Sequence, residues 1–230
     1  MGKIYKIVAL LVLVYISWVF LNQKNYDEGL VAFRTADYET AYTIFRSVAD
    51  DGNVDAQYSL GHMYRNGFHV EQDYAEAFKW YSLAAEGQNP IAQNDLGLMF
   101  KNGEGRDVDY SSAMDWFLKS SELNYYGAQY NIGLLFYQGV GVDQDYEQAL
   151  NWYLLAAAQG MPLAQRSLGV MYKLGQGAPI NDSYAYMWLY IAKERGDGPA
   201  AELLEDYVHE LDSDTVIQAI GLANQWLARN

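Results

Sequence analysis

The 230-residue chain contains no cysteine, which excludes disulfide bonds, thiolate metal sites and cysteine nucleophiles together. Histidine is scarce as well. His62, His69 and His209 share no i, i+4 spacing and no HExxH pattern, so a histidine-based zinc site has no basis in the sequence. Positive charge is short: 15 Lys and Arg stand against 29 Asp and Glu, a formal net charge of −14. Two of the lysines, Lys3 and Lys6, precede the first apolar run, so the remainder is more acidic still. Such a surface repels phosphate backbones, which argues against nucleic acid and for a basic or mixed-charge protein partner. What is abundant is apolar and aromatic: hydrophobic residues make up 51% of the chain, with 21 Tyr and 6 Trp. That composition argues against disorder and for a core built from many rings.

Lys3 and Lys6 are followed by Ile7 to Leu21, a run without charge. As a helix it spans about 22 Å at 1.5 Å per residue, between a signal-peptide core and a full membrane span. No A-x-A-like pair lies near Ser17 to Asn22 and no lipobox cysteine exists. An uncleaved signal anchor over residues 1–24 is therefore preferred to a removed signal peptide. Tyr15 and Trp18 suit a headgroup belt, and Lys3 and Lys6 favour a cytoplasmic N-terminus against Lys24 and Arg34 beyond. The expected location is the inner membrane, with residues 25–230 in the periplasm; the alternative is secretion into the periplasm after cleavage.

Beyond the anchor the chain repeats every 36 residues. Ala56, Ala92, Ala128 and Ala164 keep this step, as do Gly61, Gly97, Gly133 and Gly169, then Ala77, Ala113, Ala149 and Ala185, then Trp80, Trp116, Trp152 and Trp188. A unit of this length is a helix–turn–helix repeat. In each, Ala56, Leu60 and Tyr64 or their equivalents make an apolar stripe at i, i+4, i+8. Gly61 within the stripe costs about 1 kcal/mol of helix propensity, which close approach of another helix explains. Gly103-Glu104-Gly105, Gly139-Val140-Gly141 and Gly175-Gln176-Gly177 close the first helix through positive φ. Asp37, Asp73, Asp109 and Asp145 start the second, and Asp73-x-x-Glu76 and Asp145-x-x-Gln148 have the spacing of a capping box.

The pattern AQ(Y/N)xLGxMYxxGxGVxxDYxxAxxWYxxAAxxG resembles the Sel1-like repeat, a relative of the tetratricopeptide repeat, over Gln57–Gly87, Gln93–Asn124, Gln129–Gly160 and Gln165–Gly196. Two units depart from it: Gly29–Gly52 has a shorter loop and Ile44 in the tryptophan slot, and Asp182 replaces the tyrosine of Tyr74, Tyr110 and Tyr146. The resemblance implies an all-α fold, an α/α solenoid of Sel1-like helix-turn-helix units preceded by one N-terminal apolar helix. Its units fall at about 25–52, 53–88, 89–124, 125–160 and 161–196, followed by capping helices over 197–230.

In such arrays the first helix of each unit lines the concave face. Carried over residue by residue, the resemblance implies that a protein partner meets Asp55, Tyr58, His62 and Arg65, with Asn66, in the second unit, and Asn94, Leu98 and Lys101, with Asn102, in the third. Tyr130, Leu134 and Tyr137, with Gln138, follow in the fourth, and Arg166, Val170 and Lys173, with Leu174, in the fifth. Tyr, Arg and exposed aliphatics suit such contacts. Arg65, Lys101, Arg166 and Lys173 are also read as lying near first-helix ends, where the helix dipole favours cations.

The glycine loops lack a following GK(S/T), so they are turns and not phosphate cradles. Asp107 with Asp109 and Asp143 with Asp145 recur at one loop position and read as solvated caps. No serine elbow or positioned base is present. The expectation is a non-catalytic scaffold or adaptor at the cell envelope, without cofactor or metal. The resemblance also implies an alternative, a periplasmic immunity protein against a secreted toxin such as a type VI lipase effector. A cell-wall hydrolase ranks third, because the cysteines of such members are missing.

Overall fold

In the computed structural model residues 2–229 are described, without the side chains of residues 2–7, 9 and 24. The side chains of the flanking charges Lys3, Lys6 and Lys24 therefore lie outside those described. The elements run α1 (Gly2–Arg34), α2 (Tyr38–Asp50), α3 (Val54–Asn66), α4 (Tyr74–Glu86), α5 (Pro90–Asn102), α6 (Tyr110–Glu122), α7 (Tyr126–Gln138), α8 (Tyr146–Ala158), α9 (Pro162–Leu174), α10 (Asp182–Glu194), α11 (Gly198–Tyr207) and α12 (Ser213–Leu227), with a short 3-10 turn at Val208–Glu210. Among the described residues there is no strand. From α1 to α5, and again from α6 to α10, consecutive helices pack on one another, the arrangement of an α/α solenoid. The chain divides into two units, Met1–Val108 and Asp109–Asn230.

Local chemistry sets the helix ends as the spacing implied. Gly67, Gly103, Gly139 and Gly175 close α3, α5, α7 and α9 in the left-handed conformation, with φ values of 73°, 71°, 66° and 67°. Asp37, Asp73, Asp109 and Asp145 accept backbone N–H bonds at the starts of α2, α4, α6 and α8. The reciprocal half of the capping box does not form. The Asp73 and Asp145 amides donate instead to the carbonyls of Tyr64 and Phe136 at 2.9 and 3.0 Å, tying each second helix to the first, and Glu76 pairs with Lys79.

The alanine columns are the floor of the interior: Ala56, Ala92, Ala128 and Ala164 on the first helices, and Ala77, Ala113, Ala149 and Ala185 on the second, are all fully buried. A Cβ at Gly61 would stand 2.5 Å from Tyr81, at Gly133 2.8 Å from Tyr153, and at Gly169 2.6 Å from Leu189. The glycines thus receive a side chain from the second helix of their own pair, and it is ring or branched carbon that approaches. The tryptophan column is uneven: Trp80 and Trp188 are buried while Trp116 and Trp152 are half-buried. The glutamine following each first-helix alanine is a structural residue. Gln57, Gln93 and Gln165 donate to the carbonyls of Ala49, Ala85 and Ala157, stitching each unit to the one before.

At the N-terminus α1 runs without a break from the apolar run into the first repeat. Val8 and Leu10 to Leu21 are exposed throughout, whereas Asn22 and Tyr26 are buried against α2 and α3. The Asn53 amide donates to the Asn22 side-chain oxygen at 2.7 Å. Among the described residues no helix is long and apolar enough to cross a membrane. At the other end Asn181 caps α10, and Asp182 accepts a hydrogen bond from the Tyr207 hydroxyl at 2.7 Å, so its departure from the tyrosine pattern serves the C-terminal helices. There Ala219 is buried and Trp226 packs on Trp188.

Candidate functional site: two inter-repeat sockets

Each unit of the chain holds an apolar socket between adjacent first helices. The first, about 220 Å³, lies between α1 and α3: Tyr26, Leu30 and Phe33 form one wall, Tyr58, Ser59 and His62 the other, and Phe45 the floor. The second, about 190 Å³, lies between α7 and α9: Tyr130, Leu134 and Tyr137 face Arg166, Ser167 and Val170 over Tyr153, with Leu203 at the edge. Seven of the residues expected on the first-helix face, Tyr58, His62, Tyr130, Leu134, Tyr137, Arg166 and Val170, therefore line these sockets.

The aromatic walls are held by ring contacts. Tyr58 stacks on Tyr81 at 5.6 Å and Tyr130 leans on Tyr153 at 5.4 Å. His62 stacks on Phe68 at 5.6 Å and meets the edge of Phe33 at 5.9 Å. Burial, with Arg65 nearby, lowers the His62 pKa below the ordinary histidine value, so the ring presents a neutral face at pH 7.

The remaining expected residues are placed otherwise. Arg65 donates two hydrogen bonds to Glu104, at 2.7 and 2.8 Å. Burial raises the Asp95 pKa against the opposing effect of Arg65, while Asn94, itself buried, donates to Asp95 at 3.2 Å. Asp55 is exposed and accepts from Asn89 at 3.1 Å. Leu98 and Lys101 are half-buried outside both sockets, and burial lowers the Lys101 pKa. Lys173 pairs with Glu210 at 2.9 Å and lies 4.0 Å over the Tyr207 ring. The grouping of four cations near helix ends needs correction. Arg65, Lys101 and Lys173 occupy last turns. Arg166 lies in the first half of α9 and pairs at 2.9 Å with Asp197, which caps α11. Its neighbour is a carboxylate, not a helix C-terminus.

The sequence expectations left out Tyr26, Leu30, Phe33, Phe45, Ser59, Tyr153, Ser167 and Leu203 in the sockets, and Asp95 and Glu104 at the neighbouring α3/α5 junction. The first three had a signal. Gly29 packs its face on Phe45 as Gly61 does on Tyr81, so α1 is offset by 32 residues because its loop is shorter. At that offset Tyr26, Leu30 and Phe33 align with Tyr58, His62 and Arg65. Among the described residues no group of three His, Asp or Glu side chains could hold a metal ion.

These features define a helical-hairpin repeat protein whose first helices carry side-chain sockets. A model of the Sel1 repeat matches residues 54–89, 90–125, 127–161 and 162–197, more than half of the chain. The chain belongs to the Sel1 repeat family. It is 31% identical to a Sel1 repeat protein from Oxalobacter formigenes, covering 87% of this chain and 84% of that one with a TM-score of 0.76. It is 32% identical to a protective antigen of uropathogenic Escherichia coli with the Sel1-like repeat fold, covering 90% of this chain but 46% of that one, at a TM-score of 0.78. An immunity protein from Pseudomonas aeruginosa shares the fold at 21% identity, covering 86% of this chain and 82% of that one with a TM-score of 0.56. A search of curated proteins found no match. Sel1 repeat proteins are protein-interaction scaffolds, and the fold is typically non-catalytic.

Proposed function

We propose that this chain is a non-catalytic adaptor at the cell envelope, tethered by its apolar N-terminal helix and binding a partner protein on its first-helix face. The observation that carries the reading is the pair of sockets. Both are lined by the same columns of adjacent first helices, with Tyr58 and His62 in one and Tyr130, Leu134 and Val170 in the other. A surface reserved for solvent has no reason to keep aromatic and aliphatic walls around open space. The tether rests on Val8 and Leu10 to Leu21, all apolar or neutral and all exposed on a helix that continues into the first socket wall. A partner with basic surface suits the net charge of −14.

The test is site-specific photocrosslinking in native cells from positions 58 and 130, followed by mass spectrometry. One protein recovered from both positions, and not from position 86 on a second helix, is the expected result. Equal yields from all three would refute the docking face. For the tether, a reporter active only in the cytoplasm, fused after Asn230, is expected to be silent, and a strong signal would overturn the periplasmic placement.

A second reading is an immunity protein that captures a secreted toxin. The likeness in fold to Pseudomonas aeruginosa immunity proteins over most of both chains favours it. The partner recovered by crosslinking separates the two: a secreted effector supports immunity, an envelope component the adaptor.

A further inference from the structure

The two sockets are one construction at two junctions, and a third junction differs from them. Between α3 and α5 the equivalent columns hold Arg65 where Phe33 and Tyr137 stand, and Asp95 where Ser59 and Ser167 stand. Arg65 reaches across to Glu104, a pair in the same columns as the Tyr137 hydroxyl and Gln176, 3.2 Å apart in the other unit. Asn94 and Asp95 are 5% and 8% exposed, whereas Tyr58 and Ser59 in the open socket are half-buried. At this junction the protein fills the space with its own charged side chains.

The open socket of the first unit lies between α1 and α3. Its volume of about 220 Å³ exceeds the roughly 150 Å³ of a cavity that accepts benzene. Its walls are Tyr26, Leu30, Phe33, Tyr58 and a neutral His62. Around it Asp27 and Asp55 are exposed, whereas Glu28 faces α2 beside Thr43 and Ser47. Burial raises the pKa of the Tyr26 hydroxyl, Asp55 and Asp27 add to the rise, and Arg34 acts against them. The mouth is therefore acidic around an apolar interior.

We propose that the α1/α3 socket takes a single aromatic or aliphatic side chain from a basic segment of the partner, and that the Arg65–Glu104 pair closes the next junction so that the anchor has one register. This deepens the docking reading above and rests on it. An acidic rim alone attracts cations, and an apolar hollow alone takes any greasy group; together they select an apolar anchor flanked by Lys or Arg.

The experiment is an NMR titration of the full chain with acetyl-Lys-Lys-Phe-Lys-Lys-amide, its alanine analogue in place of Phe, and its glutamate analogue in place of the lysines. The Phe peptide is expected to shift Leu30, Ser59 and His62, with both analogues at least about tenfold weaker. Leu30→Trp, which fills the hollow, is expected to abolish the shifts. Asp27→Lys with Asp55→Lys is expected to weaken binding about fivefold or more while the helical circular-dichroism signal is kept at the titration temperature. Equal binding of the Phe and Ala peptides, shifts centred on Asn94 and Leu98, or wild-type binding by the charge-reversed chain would each overturn the proposal. Shifts on dilution without peptide would also overturn it, by showing a second copy as occupant. If the crosslinked partner binds the Leu30→Trp chain as tightly as wild type, the socket assignment fails while the docking face stands. If no partner crosslinks to positions 58 and 130, the docking face itself fails.

Discussion

Replacing Gly61 with alanine is expected to destabilise the protein, against the usual benefit of that change within a helix. In an open helix position Gly→Ala gains about 1 kcal/mol of propensity. At Gly61 the new methyl would lie 2.5, 2.7 and 3.0 Å from Cδ1, Cε1 and Cγ of Tyr81. These are atoms near the base of a fully buried ring, which cannot swing aside as the end of a flexible chain could. Overpacking of this severity costs about 2–3 kcal/mol, toward the upper end of the usual range, leaving a net loss of about 1–2 kcal/mol. Gly221, in α12, is the internal control, because a Cβ there meets nothing within 4 Å. For a chain of this size the expected shifts are a fall of about 2–8 °C for Gly61→Ala and a rise of about 2–4 °C for Gly221→Ala. Thermal unfolding followed by circular dichroism reads both. If Gly61→Ala raises the midpoint as Gly221→Ala does, glycine is not there to admit the ring, and the packing account of that column is wrong.

Removing three socket rings together, Tyr58→Ala, Tyr130→Ala and Tyr137→Ala, should leave the helical signal intact and lose the partner in a pull-down; retention would remove the sockets from the binding surface. Glu104→Gln should cost about 1.5–3 kcal/mol at pH 7, because it removes the charge that meets the half-buried Arg65. Burial pushes the Glu104 carboxyl up, but Arg65 and Asn102 outweigh it and hold it below its ordinary value of 4.5. Its contribution is thus present above pH 4.5 and lost as pH falls through the lower folded-state value, so the mutant and wild-type denaturation midpoints should converge in acid. Asp73→Ala should cost about 1 kcal/mol through the lost cap on α4, measured by urea unfolding, and a neutral effect would argue against that cap.

The helix pairs were legible in the sequence because every column recurs at one spacing, so each glycine, alanine and aspartate was confirmed by three others. The socket residues of α3, α7 and α9 followed from the same register. Tyr26, Leu30 and Phe33 escaped because the short first loop changes the offset, and a fixed period of 36 looks past them. Arg65 with Glu104 and Arg166 with Asp197 escaped for a different reason. Their partners lie in other hairpins, 39 and 31 residues away, and no helical periodicity links such positions. The unmade capping boxes belong to the same class: the competing acceptors, the carbonyls of Tyr64 and Phe136, become available only once the hairpin has closed.

In the proposed division of labour first helices bind and second helices support. Amide hydrogen exchange of the chain alone and saturated with the crosslinked partner tests it most directly. Added protection in α3, α7 and α9, with α4, α6 and α8 unchanged, is the predicted result; protection confined to the second helices would contradict it.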